Sequence, residues 1–163
     1  MDSLDRAILR QLQADGRLTN VELAERVRLS PSPCLRRVRA LERAGVILGY
    51  HADIDAAAIG RGFEVTVHVE LTLKDRATVE AFEAGIAAFD EVLECRRMFG
   101  LPDYVVRVAV ADQAAYEAFY MNKLAELPGL ARVNSQFTMK MVKREGALPS
   151  ESAPRRARRR QLP

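Results

Sequence analysis

Cysteine and histidine are scarce in this chain, with two of each in 163 residues. Cys34 and Cys95 stand far apart, in segments that read as a helix and a strand of different domains. They offer neither a disulfide framework nor metal-ligand spacing, and both are expected to be packed thiols. His51 and His68 have no Cys, Asp or Glu at ligand spacing, so surface or interface positions are expected and no metal or cofactor is. No apolar run approaches the roughly 18 residues of a membrane-spanning helix, which excludes an integral helical membrane protein. Met1-Asp2-Ser3-Leu4-Asp5-Arg6 lacks the basic leader and apolar stretch of a secretory signal, leaving the cytoplasm as the expected location. No segment of 20 to 50 residues repeats, which removes solenoids and propellers. Gly60-Arg61-Gly62 lacks the further glycines and the helix of a phosphate loop, and nucleophile motifs are absent, so no catalytic residue is nominated.

What is present is a composition able to close a core, 48% hydrophobic, with an uneven charge. The net +3 divides into +1 over residues 1–60, −2 over 61–145 and +4 over 146–163. Basicity concentrates in Arg28, Arg36, Arg37, Arg39 and Arg43, and again in Arg155-Arg156-Ala157-Arg158-Arg159-Arg160. A local basic cluster within a nearly neutral chain is the footprint of polyanion binding. Residues 146–163, bounded by prolines and poor in apolar side chains, read as a disordered arm. Such an arm either adds sequence-independent affinity for DNA or is a dispensable solvated terminus.

Periodicity changes near residue 60. Before it, Leu4, Ile8, Leu9 and Leu12 form a helical stripe that Gly16 ends. Thr19-Asn20-Val21-Glu22 is a capping box opening a second helix, expected to bury Val21, Leu23, Ala24 and Val27. Ser30-Pro31-Ser32-Pro33 cannot lie inside a helix, where each proline costs about 3 kcal/mol, but suits a first turn with Ser30 as N-cap. The third helix then runs to Ala44 with Gly45 beyond it. On it Cys34, Val38 and Leu41 face inward, while Ser32, Arg36, Arg39 and Arg43 line the opposite side. Guanidinium groups in a row with no local carboxylate repel one another, and a phosphate-rich partner relieves that repulsion. Three short helices ending in such a helix read as a helix-turn-helix for double-stranded DNA, with Val46–Tyr50 entering a small wing. Arginine forks fit phosphates and the guanine edge, and Ser30 and Ser32 can donate to either.

After residue 60, Phe63, Val65, Val67, Val69, Leu71 and Leu73 alternate with polar residues, the pattern of a half-buried strand. Val79, Phe82, Ile86 and Phe89 follow at helical spacing. Two strands, Val92–Phe99 and Tyr104–Val110, flank a Gly100-Leu101-Pro102-Asp103 turn as a hairpin. Asp112 can cap a helix carrying Tyr116, Phe119, Tyr120 and Leu124, and Leu127-Pro128-Gly129 leads into a last strand through Val133, Phe137, Met139 and Met141. The order βαββαβ predicts an α+β, ferredoxin-like sandwich over residues 61–145. Both helices cover one face of its antiparallel sheet, and a second copy is the economical cover for the other.

Several motifs then resemble, in order, the Lrp/AsnC (leucine-responsive, "feast/famine") transcriptional regulators. They are Leu4-Asp5-Arg6, Asp15-Gly16-Arg17, Asn20-Val21-Glu22-Leu23-Ala24, Leu29-Ser30-Pro31-Ser32-Pro33-Cys34, Arg37–Glu42 and Gly45–Tyr50, followed by Asp103-Tyr104 after Gly100 and by Leu127-Pro128-Gly129. The resemblance spans about residues 3 to 144. It implies a DNA-binding regulator, with residues 1–60 as the winged helix-turn-helix and 61–145 as the dimerisation and amino-acid-binding domain. It also implies homodimers that assemble further, to tetramers or octamers, on a palindromic operator. The DNA-contacting set becomes Asn20, Ser30, Ser32, Arg36, Arg37, Arg39 and Arg43. The effector set carried over is Gly100, Asp103 and Tyr104, with Ser135, Gln136 and Thr138 from the last strand of a neighbouring subunit. Asp103 suits an α-ammonium and Gly100 a close backbone approach. Leu101-Pro102 stand where many members carry a second acid, which favours an apolar or aromatic amino acid, or none, over a polar one. Two other readings remain at this point: an enzyme of the related tetrapyrrole-decarboxylase type, if His51, His68 and Arg107 converge, and an amino-acid sensor that does not touch DNA.

Overall fold

Asp2 opens the first helix of the computed structural model, which describes residues 1–143. Its carboxylate accepts from the Asp5 amide while the Asp5 side chain accepts from the Asp2 amide, each at 2.9 Å, so two otherwise orphaned donors are satisfied reciprocally. Helix α1 spans Ser3–Ala14. The Thr19–Glu22 capping box forms as predicted and starts α2, Asn20–Arg26. Pro31 occupies the first position of α3, Pro31–Arg43, with Ser30 as N-cap. Gly45, at φ +66°, then turns the chain in the left-handed region, where a side chain would be strained. Ile8, Leu23, Ala24, Val27, Cys34 and Leu41 form the core of this helical unit.

Two expectations fail here. Val21 is 54% exposed, because it lies about 200° around the helix from Leu23 and so faces away from the stripe. No strand forms at Val46–Tyr50; a lone extended segment needs a paired neighbour, and the Val46 and Ile47 amides instead donate back to the Leu41 carbonyl. The compact helical unit reaches Ala52, ahead of the boundary placed near residue 60. Residues 53–62 group with the following unit, where the Arg61 guanidinium donates to the Asp90 carbonyl at 2.9 Å.

That unit contains β1 (Phe63–Leu71), α4 (Arg76–Ala87), β2 (Val92–Arg97), β3 (Tyr104–Val110), α5 (Gln113–Asn122), a short 3-10 turn over Leu124–Glu126, and β4 (Leu130–Phe137). The four strands are antiparallel in the order β2-β3-β1-β4. Val65, Val67, Val69 and Leu71 of β1 pack with Val79, Phe82 and Ile86 of α4 and Tyr116 and Phe119 of α5. The alternate residues Glu64, Thr66, His68 and Glu70 lie on the open face. Strand ends are shorter than alternation predicts: Leu73, Phe99, Met139 and Met141 lie outside their strands and exposed. Pairing of β1 with β3 ends at Val69–Tyr104, beyond which the Leu71 amide turns to the Asp103 carboxylate instead of a strand carbonyl. Cys34 is buried as expected, whereas Cys95 is exposed, because β2 is an edge strand. Partial loss of solvent around its sulfur, and then the nearby Glu83 carboxylate, still push that thiol up to about 11. The arginine-rich segment expected to be a disordered arm lies outside the described residues.

Candidate nucleic-acid interface and effector pocket

Helix α3 presents its two faces as its spacing requires. Cys34 and Leu41 are buried against α1 and α2 and Val38 is half-buried with them, while Ser32, Arg36, Arg39 and Arg43 are exposed. Burial also raises the Cys34 thiol above its ordinary range. Ser30 makes no cap hydrogen bond with its side chain, so the proline at the first helical position carries the start.

Asn20 and Arg37 are placed differently from the exposed row. The Asn20 amide donates to the Pro31 carbonyl at 2.8 Å and joins α2 to the start of α3. Arg37, 100° around the helix from Arg36, reaches back to α1. It meets Asp2 at 2.8 Å and Asp5 at 2.7 Å. Bonds to Asp5 and Asp2 raise the guanidinium further above its ordinary value, and the Asp5 amide together with Arg37 holds the Asp2 carboxyl low. These two side chains therefore fix α3 relative to α1 and α2, and the exposed row they orient is Ser32, Arg36, Arg39 and Arg43.

Arg28, in the turn between α2 and α3, belongs to the basic cluster but lies outside the DNA-contacting set. It sits at φ +57°, among the described residues the one non-glycine at positive φ. For an L-residue that conformation costs about 1–2 kcal/mol; here it closes α2, the Arg28 amide donating to the Glu25 carbonyl at 3.1 Å and the Leu29 amide to the Ala24 carbonyl at 2.8 Å. No glycine or asparagine marks the position in the sequence, so only the basic cluster pointed to it. Arg28→Gly is expected to raise stability by up to about 1 kcal/mol in chemical denaturation. In the same variant, DNA affinity at low salt should fall severalfold and the salt slope should drop by about one.

In the sheet unit, the β2–β3 hairpin closes over a cavity of about 210 Å³ lined by Leu71, Lys74, Val79, Met98, Phe99 and Tyr104, among others. Gly100, at φ +114°, makes the turn, and a Cβ there would meet nothing within 4 Å. Asp103 is the one buried charged side chain among the described residues. One of its oxygens accepts from the Leu71 amide at 2.9 Å. The other meets the Lys74 ammonium at 2.5 Å. Lys74 first and the Leu71 amide second hold its carboxyl below the ordinary aspartate range. Tyr104 donates to Glu83 at 2.8 Å; burial first, then that carboxylate, pushes its phenol up to about 12.

Gly100, Asp103 and Tyr104 thus come together, and the candidates Ser135, Gln136 and Thr138 do not join them within one chain. Ser135 is on the helix face, its hydroxyl 2.6 Å from the Tyr116 hydroxyl. Gln136, next along, faces the opposite side beside Thr66. Thr138 lies past the strand end, its amide donating to the Glu64 carbonyl. Arg107 is held between Glu94 at 3.4 Å and Glu64 at 3.8 Å, and His68 stands beside Val105 on the same open face. Among the described residues no group of three His, Cys, Asp or Glu is arranged to hold a metal ion, and no helix is long and apolar enough to cross a membrane.

Residues 1–47 match the family described as winged helix-turn-helix DNA-binding, and residues 64–148 match the Lrp/AsnC ligand binding domain. The chain is 40% identical over 143 residues to a leucine-responsive regulatory protein of Rhizobium meliloti, covering 88% of this chain and 92% of that protein. It is 38% identical over 148 residues to the protein of that name from Escherichia coli K12, covering 91% of this chain and 90% of the other. Among solved structures, a Neisseria meningitidis transcriptional regulator in complex with L-Met superposes with a TM-score of 0.87 at 38% identity, covering 91% of this chain and 96% of that one. Escherichia coli AsnC, at 23% identity and a TM-score of 0.81 over 89% of this chain and 96% of its own, shows the same fold. With both domains present in order, and with this identity running through nearly the whole of its relatives, the chain belongs to the Lrp/AsnC family of DNA-binding transcriptional regulators.

Proposed function

We propose that this regulator acts in the cytoplasm as a dimer on a palindromic operator, α3 of each copy entering the major groove. A small apolar amino acid would shift the assembly between states of different DNA affinity and so control genes of amino-acid metabolism or transport. The observation that carries this reading is the exposed row Ser32, Arg36, Arg39 and Arg43, backed by buried Cys34 and Leu41. Half-site spacing follows from two-fold symmetry: two recognition helices address sites about one helical turn, or a multiple, apart.

Three further features support the parts beyond DNA binding. The open sheet face mixes Glu64, His68 and Glu70 of β1 with Arg107 of β3 and Arg132 and Gln136 of β4, a surface of both charges able to pair with a second copy of itself. The hairpin cavity, about 210 Å³, sets Leu71, Val79 and Met98 beside one buried carboxylate, a combination that suits a small ligand with a charged end. The Neisseria relative, solved with L-Met, binds an amino acid on the same fold. In this chain Gly100, Asp103 and Tyr104 line the cavity where such a ligand would sit.

Selection of bound fragments from genomic DNA, repeated with a panel of free amino acids, tests the reading. A palindromic consensus is expected, whose occupancy changes at least severalfold with one or more apolar amino acids. Recovery of fragments without a shared sequence would overturn operator recognition, and unchanged occupancy across the panel would overturn the effector.

A further inference from the structure

Asp103 is the residue suited to an α-ammonium, yet an ammonium already stands on it. Lys74 approaches one oxygen to 2.5 Å, while the other is fixed by the Leu71 amide at 2.9 Å. The two partners differ in freedom. The Asp103 side chain is 12% exposed and held by backbone, whereas that of Lys74 is 59% exposed on a flexible stem. Lys74 lines the same hairpin cavity of about 210 Å³ as Asp103. Arg97 also lines the cavity and its charge adds to holding the Asp103 carboxyl low, but its own carboxylate partner is Glu83 at 3.7 Å, which also accepts from Tyr104.

From this geometry we propose that Lys74 is the selector of the effector pocket. It stands in for the ligand's ammonium while the site is empty, and it moves to the ligand's carboxylate when an α-amino acid takes over Asp103. The inference rests on the effector reading above and names the residue that chooses the ligand class. Charge balance gives the reason. A zwitterion brings an ammonium for Asp103 and a carboxylate for the displaced Lys74, so every charge keeps a partner. An amine without the carboxylate leaves two cations competing for Asp103. A carboxylate without the amine takes Lys74 and leaves Asp103 with the Leu71 amide as its hydrogen-bond donor and no ammonium on its other oxygen. Each mismatch forfeits a charge-assisted hydrogen bond in a partly desolvated site, a loss of about tenfold or more in affinity.

Titration calorimetry on the full chain, with L-methionine and 3-(methylthio)propylamine as probes, tests the proposal. These ligands share a side chain and differ by the carboxylate. Wild type is expected to bind L-methionine at least about tenfold more tightly than the amine. Lys74→Met should reduce that ratio to below about threefold, and Lys74→Arg should keep most of it, with circular dichroism showing the fold unchanged. An unchanged ratio in Lys74→Met overturns the role of Lys74 while leaving the pocket in place. No binding of L-methionine, L-leucine or L-phenylalanine to wild type overturns the effector reading itself, and this inference with it.

Discussion

Replacing Arg36 and Arg39 together with alanine is expected to lower affinity for an operator fragment by about a hundredfold or more, with the helical content unchanged. The two side chains stand on the exposed side of α3, opposite Cys34 and Leu41, so truncating them removes no core contact. A guanidinium fork aimed at a base edge discriminates by about 1–3 kcal/mol, and two such contacts together reach that loss. Anisotropy titrations at several salt concentrations separate the ways of failing. Loss of base reading lowers specific affinity towards the non-specific level, whereas loss of phosphate contacts alone lowers all sequences together and flattens the salt slope. Arg37→Ala is the informative control. Its guanidinium is tied to Asp2 and Asp5, so its removal should lower thermal stability and reduce DNA binding only through loosened placement of α3. If the double variant still shifts operator DNA with wild-type specificity, the recognition helix lies elsewhere.

The contrast between Arg36 and Arg37 also marks how far a sequence can be read. Local rules succeeded where the partners are close along the chain. The Thr19–Glu22 box, Pro31 at a helix start, Asp112 as a cap and the alternation through β1 each involve neighbours within a few residues, and each takes its predicted form. Angular position separated the exposed row on α3 from its buried stripe for the same reason. What stayed hidden depends on partners brought together by folding. Arg37 and Asp2 are 35 residues apart, and Asp103 and Leu71 are 32 apart. No spacing rule pairs such groups, so Arg37 reads as one more cation and Asp103 as a free carboxylate. The missing wing strand has a related cause: Val46–Tyr50 has the composition of a strand, but strand formation requires a partner that the helical unit does not provide. Arg28 stood in the basic cluster, but its left-handed backbone was hidden, because positive φ at a non-glycine residue leaves no mark on composition.

Phe82→Ala is expected to destabilise the sheet unit by about 3–5 kcal/mol, the range for removing a buried aromatic ring. Phe82 is 0% exposed, and its ring centroid lies 4.7 Å from that of Tyr104 at an interplanar angle of 45°. It joins α4 to β3 at the strand end from which the hairpin turns. The next residue, Glu83, accepts from the Tyr104 hydroxyl, so ring contact and hydrogen bond fix the same tyrosine from one helix. Removing the ring leaves a cavity under Tyr104, whereas Phe82→Leu fills most of it and should cost less than about 1.5 kcal/mol. Urea denaturation followed by tyrosine signals is suitable because the chain has no tryptophan and four tyrosines. The result bears on the pocket as well as on stability. Asp103 precedes Tyr104 and is held by Leu71 on the neighbouring strand β1, so a shifted β3 end disturbs the distance on which the Lys74 pair depends. Under conditions where Phe82→Ala remains folded, L-methionine affinity should fall more than in Phe82→Leu. Equal stability of the two variants would show that the core closes around the lost ring, and that the hairpin is held by the Tyr104–Glu83 bond without it.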